Sequence, residues 1–248
     1  MFLKAGRIMR EHNNFSKGIR DGMPICLGYL SVSFAFGIFV MNQGVGFSWL
    51  HALLISMTNV TSAGQLAGVP IIAAGGTFIE LAVSQLVINL RYALMSVSLS
   101  QKMGKSVTLL DRFLIAFINT DEVFAVASSK DGAVGRKYMY GLILMPYIGW
   151  CSGTLLGAVA GNFLPEIVAT SLGVAIYGMF IAIVVPRSKA DKATALCVLV
   201  AIVLSCIFNF VPILSLIGDG FIIIICAVIT SALFAVLAPI KQEVEDDE

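Results

Sequence analysis

The stretch Phe78–Ser100, FIELAVSQLVINLRYALMSVSLS, narrows most what this chain can become. It is apolar over the ~20 residues that a helix needs to cross a bilayer, yet it carries Glu80, Gln85, Asn89 and Arg91. Such groups left in lipid without partners cost several kcal/mol each, so an ionisable side chain inside a span is by default a functional residue. On a helical wheel Glu80, Ser84, Arg91 and Ser98 fall within about 40° of one another, while Gln85, Asn89 and Ser96 cluster on the opposite side. Both faces therefore need polar neighbours. Glu80 and Arg91 stand roughly 16 Å apart along such a helix, so the counter-charge of Arg91 must come from another segment. Phe78–Ser100 is accordingly expected to be the central helix of a bundle.

The rest of the chain supplies that bundle. Its 248 residues are 58% hydrophobic and only 12% charged, with a mean hydropathy of +0.92, far more apolar than a soluble domain. An all-α, polytopic transmembrane helical bundle is expected. Residues 1–21 read as a basic cytoplasmic N-terminus without the h-region and cleavage site of a signal peptide. Residues 22–239 read as a single transmembrane domain and 240–248 as an acidic cytoplasmic tail. Gly22–Met41 is a first span, in which Pro24, Gly28 and Gly37 are assigned structural roles. Trp49–Ala74 is apolar but interrupted at 58–65, and Leu109–Ser129 is interrupted at 119–122. Tyr138–Gly161, Ile167–Pro186, Ala193–Phe210 and Phe221–Pro239 are cleaner spans.

Lys and Arg fall in groups around Lys4–Arg20, Lys102–Arg112, Lys130–Lys137, Arg187–Lys192 and Lys241, with Arg91 alone outside them. Short cytoplasmic loops carry the excess of basic residues, so each group marks the inside and both termini are inside. Eight full crossings would leave Lys102, Lys105 and Arg112 outside. If the two interrupted segments enter and leave on one side, every basic group lies inside, which favours six full spans plus two irregular segments. Seven or eight ordinary helices are the alternative. An echo between MPICLGY (23–29) and MPYIGW (145–150) suggests an internal repeat.

Other classes find little support. A net charge of +1 and the absence of a recognition motif give no reason to expect nucleic acid. The five cysteines sit singly without metal or redox spacing, so neither a metal nor another cofactor is expected. Gly149-Trp150-Cys151-Ser152-Gly153 faintly resembles a hydrolase motif, but the two histidines, His12 and His51, lie in the tail and at a membrane edge. No catalytic residue is assigned, and the chain is not read as an enzyme.

Two clusters carry the candidate chemistry. If Asn119 or Thr120 caps a half-helix starting at Asp121, Asp121 and Glu122 occupy its first turn, where their charge complements the helix dipole. Arg91 is the counter-charge for one acid, and the other is free to cycle a proton; Glu80 joins this proton-coupling or ion-pair set. The alternative is a buried ion pair that merely fixes packing. In the stretch 58–65, Asn59, Ser62, Gly64 and Gln65 can offer amides, hydroxyls and unwound backbone to a zwitterion, as broken helices do in secondary transporters, and Asn89, Arg91 and Tyr92 complete the substrate set. Ordinary helix-contact chemistry is the alternative for the small residues. A transporter is therefore expected, with a channel or pore as the reading from another class.

DGMPICLGYLSVSFAFG, the NLRYALMS around Arg91, the NTDEVFA around Asp121 and the MFIAIVVP at 179–186 resemble the AzlC-type branched-chain amino acid permeases, the large subunits of two-component amino acid exporters. The resemblance runs from about residue 15 to 190. It implies export of valine, leucine, isoleucine or methionine across the bacterial cytoplasmic membrane, driven by the proton-motive force, with a small AzlD-type four-helix membrane subunit as partner. The chain departs from the family pattern at Tyr92, where a histidine is usual, in Thr61-Ser62-Ala63-Gly64-Gln65, and in the additional acid Glu80.

Overall fold

The computed structural model describes residues 12–161, 188–211 and 219–238, with residues 163, 167, 181 and 184–186 between them. Most of the expected span Ile167–Pro186, residues 1–11 and the acidic tail lie outside the described residues. In chain order the helices are α1 (Phe15–Met41), α2 (Trp49–Thr58), α3 (Ser62–Ala73), α4 (Phe78–Lys102), α5 (Leu109–Phe117), α6 (Asp121–Ser128), α7 (Arg136–Gly161), α8 (Lys192–Phe210) and α9 (Asp219–Leu237). Of these, α1, α4, α7 and α8 are long and apolar enough to cross a membrane, and the fold is a helical membrane bundle. Two compact units divide it, Met1–Leu66 with Asn89–Ile176 and Ala67–Ile88 with Tyr177–Glu248.

In the first unit the helix pair α1 and α7 forms the frame. Asn14 caps α1 by accepting the N–H of Lys17 at 3.1 Å, so the helix begins at Phe15 and carries Lys17 and Arg20 on its first turns rather than on a preceding tail. The two helices run parallel, because neighbours rise together in number. A Cβ on Gly18 would strike the backbone of Tyr138 and Leu142, one on Gly149 that of Cys26, and one on Gly157 that of Phe34. Glycines at these levels let the backbones touch, the usual device for packing helices in lipid, where no hydrophobic driving force pulls them together. Gly37 belongs to this seam, facing the Thr154 carbonyl and Ala158 N–H, whereas Gly28 faces open space and Pro24 sits inside α1 without ending it.

The basic end of this frame is knotted. His12 exchanges backbone hydrogen bonds with Ala133 and Gly135, and the Lys102 carbonyl accepts from Val134 N–H. Lys130 pairs with Asp21 at 2.7 Å and Arg136 with Asp111 at 3.0 Å. Lys102 donates to the Ser128 carbonyl, so the end of α4 meets the end of α6. The hairpin α5–α6 therefore starts and finishes at the same end of the unit. Thr108 and Asp111 start α5 as a reciprocal capping box. The interruption expected at 119–122 thus folds as a hairpin tip at 118–120, and that expected at 58–65 narrows to residues 59–61.

The second unit contains the N-terminal turns of α4 and the pair α8 and α9. Thr77 caps α4 by accepting the Glu80 N–H at 3.1 Å, and the Glu80 carboxylate folds back beside Gly76. Gln85 lies against Gly68 of α3. Asp191 caps α8 through the N–H groups of Ala193 and Thr194. No residue of α8 is buried within the protein, as befits a helix whose solvent is lipid.

Candidate functional site

The site is built where α2–α3 and α5–α6 break. At the first break Asn59 turns extended (φ −136°, ψ 84°) and ends α2, and its carbonyl accepts from Thr61 N–H at 2.9 Å. Thr61 then starts α3, its hydroxyl accepting the Gly64 N–H at 3.3 Å. At the second break Thr120 occupies the N-cap of α6 in an extended conformation (φ −82°, ψ 172°), but its side chain makes no capping bond. Among the described residues the buried Thr120 Oγ1 and Asn119 Oδ1 have no hydrogen-bond partner, although Asn119 Nδ2 donates to Ser96 Oγ on α4 at 3.0 Å. One break is closed by its own cap, and the other keeps spare hydrogen-bonding capacity.

Arg91 joins them. Its Nη1 lies 2.7 Å from Asp121 Oδ2, the first residue of α6. Its Nη2 donates to the Tyr92 hydroxyl at 3.0 Å while the guanidinium sits 4.7 Å from the Tyr92 ring centroid. The Tyr92 hydroxyl in turn stands near Thr61 at the other break. Tyr147 of α7 closes a second link, donating to the Met57 carbonyl at the end of α2 at 3.1 Å while its ring stands 6.5 Å from that of Phe117 at the end of α5.

The two acids of α6 are sorted by their neighbours. Asp121 takes the arginine, and Glu122 accepts the hydroxyl proton of Tyr29 from α1. Successive residues on a helix point about 100° apart, so the pair cannot both face Arg91. The side chains of Arg91 and Asp121 are 49% and 45% exposed, so this ion pair is open to a ligand. It leaves Glu122 as an acid balanced by a phenol rather than by a cation.

Behind these groups runs a buried polar chain. Tyr29 meets Trp150 edge-on with centroids 5.1 Å apart, and Trp150 Nε1 donates to Gln65 Oε1 at 2.8 Å. Gln65 Nε2 donates to Ser56 Oγ at 2.8 Å, and Ser56 shares a hydrogen bond of 2.7 Å with Thr154. Each member finds a partner, as buried polar groups must.

Of the residues expected at the site, Arg91, Tyr92, Thr120, Asp121 and Glu122 come together. Gln65 reaches them through Trp150, but both ends of its amide are engaged, so it positions the break rather than presenting donors to a ligand. Asn59 and Gly64 act through their backbone, and Ser62 is the first residue of α3. Asn89 stands half-buried on α4 two residues before Arg91, and Glu80 belongs to the far end of that helix. Tyr29, Ser56, Tyr147, Trp150 and Thr154 were not anticipated. The available signal was chemical: a tyrosine hydroxyl or an indole N–H in an apolar helix needs a partner. Among the described residues no cluster of His, Cys, Asp and Glu forms a metal site.

The model of the AzlC protein family matches residues 24–164, more than half of the chain and all of the site. The chain belongs to the AzlC family. A membrane protein of Archaeoglobus fulgidus is 31% identical over 185 residues, covering 73% of this chain and 79% of the relative. The inner membrane protein YgaZ of Escherichia coli is 29% identical over 196 residues, covering 76% and 78%. A Helicobacter pylori membrane protein is 24% identical over 157 residues, covering 60% and 67%. No solved structure matches. This AzlC-family chain is thus a helical membrane protein, and its family and build point to transport rather than catalysis.

Proposed function

We propose that this AzlC-family protein is a proton-coupled secondary transporter that exports branched-chain or similar apolar amino acids, valine, leucine, isoleucine or methionine, across the bacterial cytoplasmic membrane. The observation that carries the reading is the open Arg91–Asp121 ion pair at the α5–α6 break, with a second acid, Glu122, beside it. A zwitterion needs a partner for each charge, and Arg91 and Asp121 supply both once they part. Apolar side chains at the breaks, Phe117 among them, can receive the side chain of such a substrate. Glu122, which among the described residues is held by a phenol and not by a cation, is the proton-exchanging acid. The basic end of the bundle faces the cytoplasm, as the distribution of Lys and Arg favours. The partner is a small AzlD-type four-helix subunit in the same membrane.

Cells expressing the chain with that subunit and loaded with a valine or methionine dipeptide should accumulate less free amino acid than cells lacking either protein. Collapsing the proton gradient should remove the difference. Equal accumulation with and without the pair, in membranes shown to contain both proteins, overturns the exporter reading and favours a channel.

A further inference from the structure

Tyr29 and Trp150 stand between the two breaks and have no role in the transport step proposed above. Tyr29 donates to Glu122 at the α5–α6 break, and its ring lies edge-on against Trp150. Trp150 donates to Gln65, whose amide is tied to Ser56 on the last turns of α2. We propose that Tyr29 is a positioning residue that links the charge state of Glu122 at one break to the geometry of the other break, through the Trp150 indole and the Gln65 amide. This rests on the reading of Glu122 as the proton-exchanging acid.

The chemistry of the link is direct. An ionised Glu122 accepts from the phenol in a charge-assisted hydrogen bond, roughly twice as strong as a neutral one. A protonated Glu122 becomes a donor itself and holds Tyr29 less firmly. The ring then shifts against the indole edge. Trp150 is 2% exposed and Gln65 1%, so neither has water to substitute for a lost partner, and the displacement is passed to Ser56 and the end of α2. Among the described residues, Tyr29 from α1 bonds Glu122 directly, Asp121 precedes it on its own helix, and Arg91 and Tyr92 from α4 stand next to Asp121. On α7, Tyr147 and the neighbouring Cys151 flank the same breaks.

Trp150 itself reports on the link. The chain has two tryptophans, so Trp49→Phe leaves Trp150 as the sole emitter in the full-length protein. In detergent, Trp150 emission should change in one step as pH is varied, without added substrate. The step should vanish in Glu122→Gln and in Tyr29→Phe, which keeps the ring against the indole, and persist in Tyr147→Phe. Helical circular dichroism establishes that each variant is folded; should Glu122→Gln not fold, Tyr29→Phe carries the same decision. No step in the parent protein, or a step that survives either substitution, overturns the link. The transport reading fails separately: a step without proton-driven export leaves the link standing and removes the exporter, whereas export without a step does the reverse.

Discussion

Ser56→Ala removes a single oxygen, yet two other side chains depend on it. Ser56 is fully buried and bonds both Gln65 Nε2 and Thr154 Oγ1, at 2.8 and 2.7 Å. The substitution leaves an amide donor and a hydroxyl without that partner in a site closed to water. Hydrogen bonds between membrane helices are worth about 0.6 kcal/mol on average and up to about 1.7. Losing two therefore costs about 1–3 kcal/mol. In a chain of this size that corresponds to a fall in Tm of roughly 2–12 °C. Thr58→Ala is the control, because the exposed Thr58 hydroxyl bonds only carbonyls of its own helix, Leu54 at 2.7 Å foremost. Thermal unfolding of the purified protein in one detergent measures both. Gln65→Leu combined with Ser56→Ala should cost less than the sum of the single changes, since the double variant no longer strands the amide. A Ser56→Ala protein as stable as Thr58→Ala, or strict additivity with Gln65→Leu, would refute the view that this chain of hydrogen bonds fixes the first break to α7.

Three further outcomes follow from the same geometry. Gly157→Ala should destabilise by about 1–3 kcal/mol because its Cβ would stand 2.9 Å from Phe34 Cα in the α1 backbone, while Gly28→Ala, facing open space, should be neutral or stabilising in the same assay. Arg91→Lys should restore little of the transport lost in Arg91→Ala, because an ammonium does not reproduce the guanidinium's simultaneous contact with Asp121, the Tyr92 hydroxyl and the Tyr92 ring; Lys activity equal to wild type removes that argument. At the cap of α8, outside the span, the Thr194 hydroxyl and the N–H groups of Thr194 and Ala193 favour the ionised Asp191 and hold its carboxyl below the ordinary 3.8. A carbon-13 titration should place its midpoint below that value, and Thr194→Val should raise it.

That Arg91 needs an acid from another segment was legible in the sequence, because lipid makes an unpaired charge so costly that the acids in apolar runs are quickly searched. Glu80 is too far along the same helix, which leaves 121 and 122. Which acid would pair was not legible, since that depends on how α6 is rotated about its axis. The breaks themselves were visible as polar strings in apolar runs, but their length was overstated at 58–65. Ser62, Gly64 and Gln65 are helical there because Thr61 caps α3. Gln65 read as a ligand donor because its partner, Trp150, is distant in sequence and nothing local signals the meeting. The start of α1 lies before the first apolar run, because Asn14 caps the helix ahead of the basic Lys17 and Arg20, which by charge alone read as tail. Of the glycines assigned structural roles, Gly37 lies in the α1–α7 seam and Gly28 does not, and only the position of α7 distinguishes them.

The central claim, that the acids at the α5–α6 break couple protons to the movement of an apolar amino acid, meets its most direct test in proteoliposomes holding the chain and its small partner. Vesicles loaded with labelled leucine are given a proton gradient, acid outside, and efflux is compared for the wild type and Glu122→Gln. The account predicts that the gradient accelerates efflux from wild-type vesicles only, while leucine exchange in the absence of a gradient persists in both. Gradient-driven efflux that is undiminished in Glu122→Gln would contradict it.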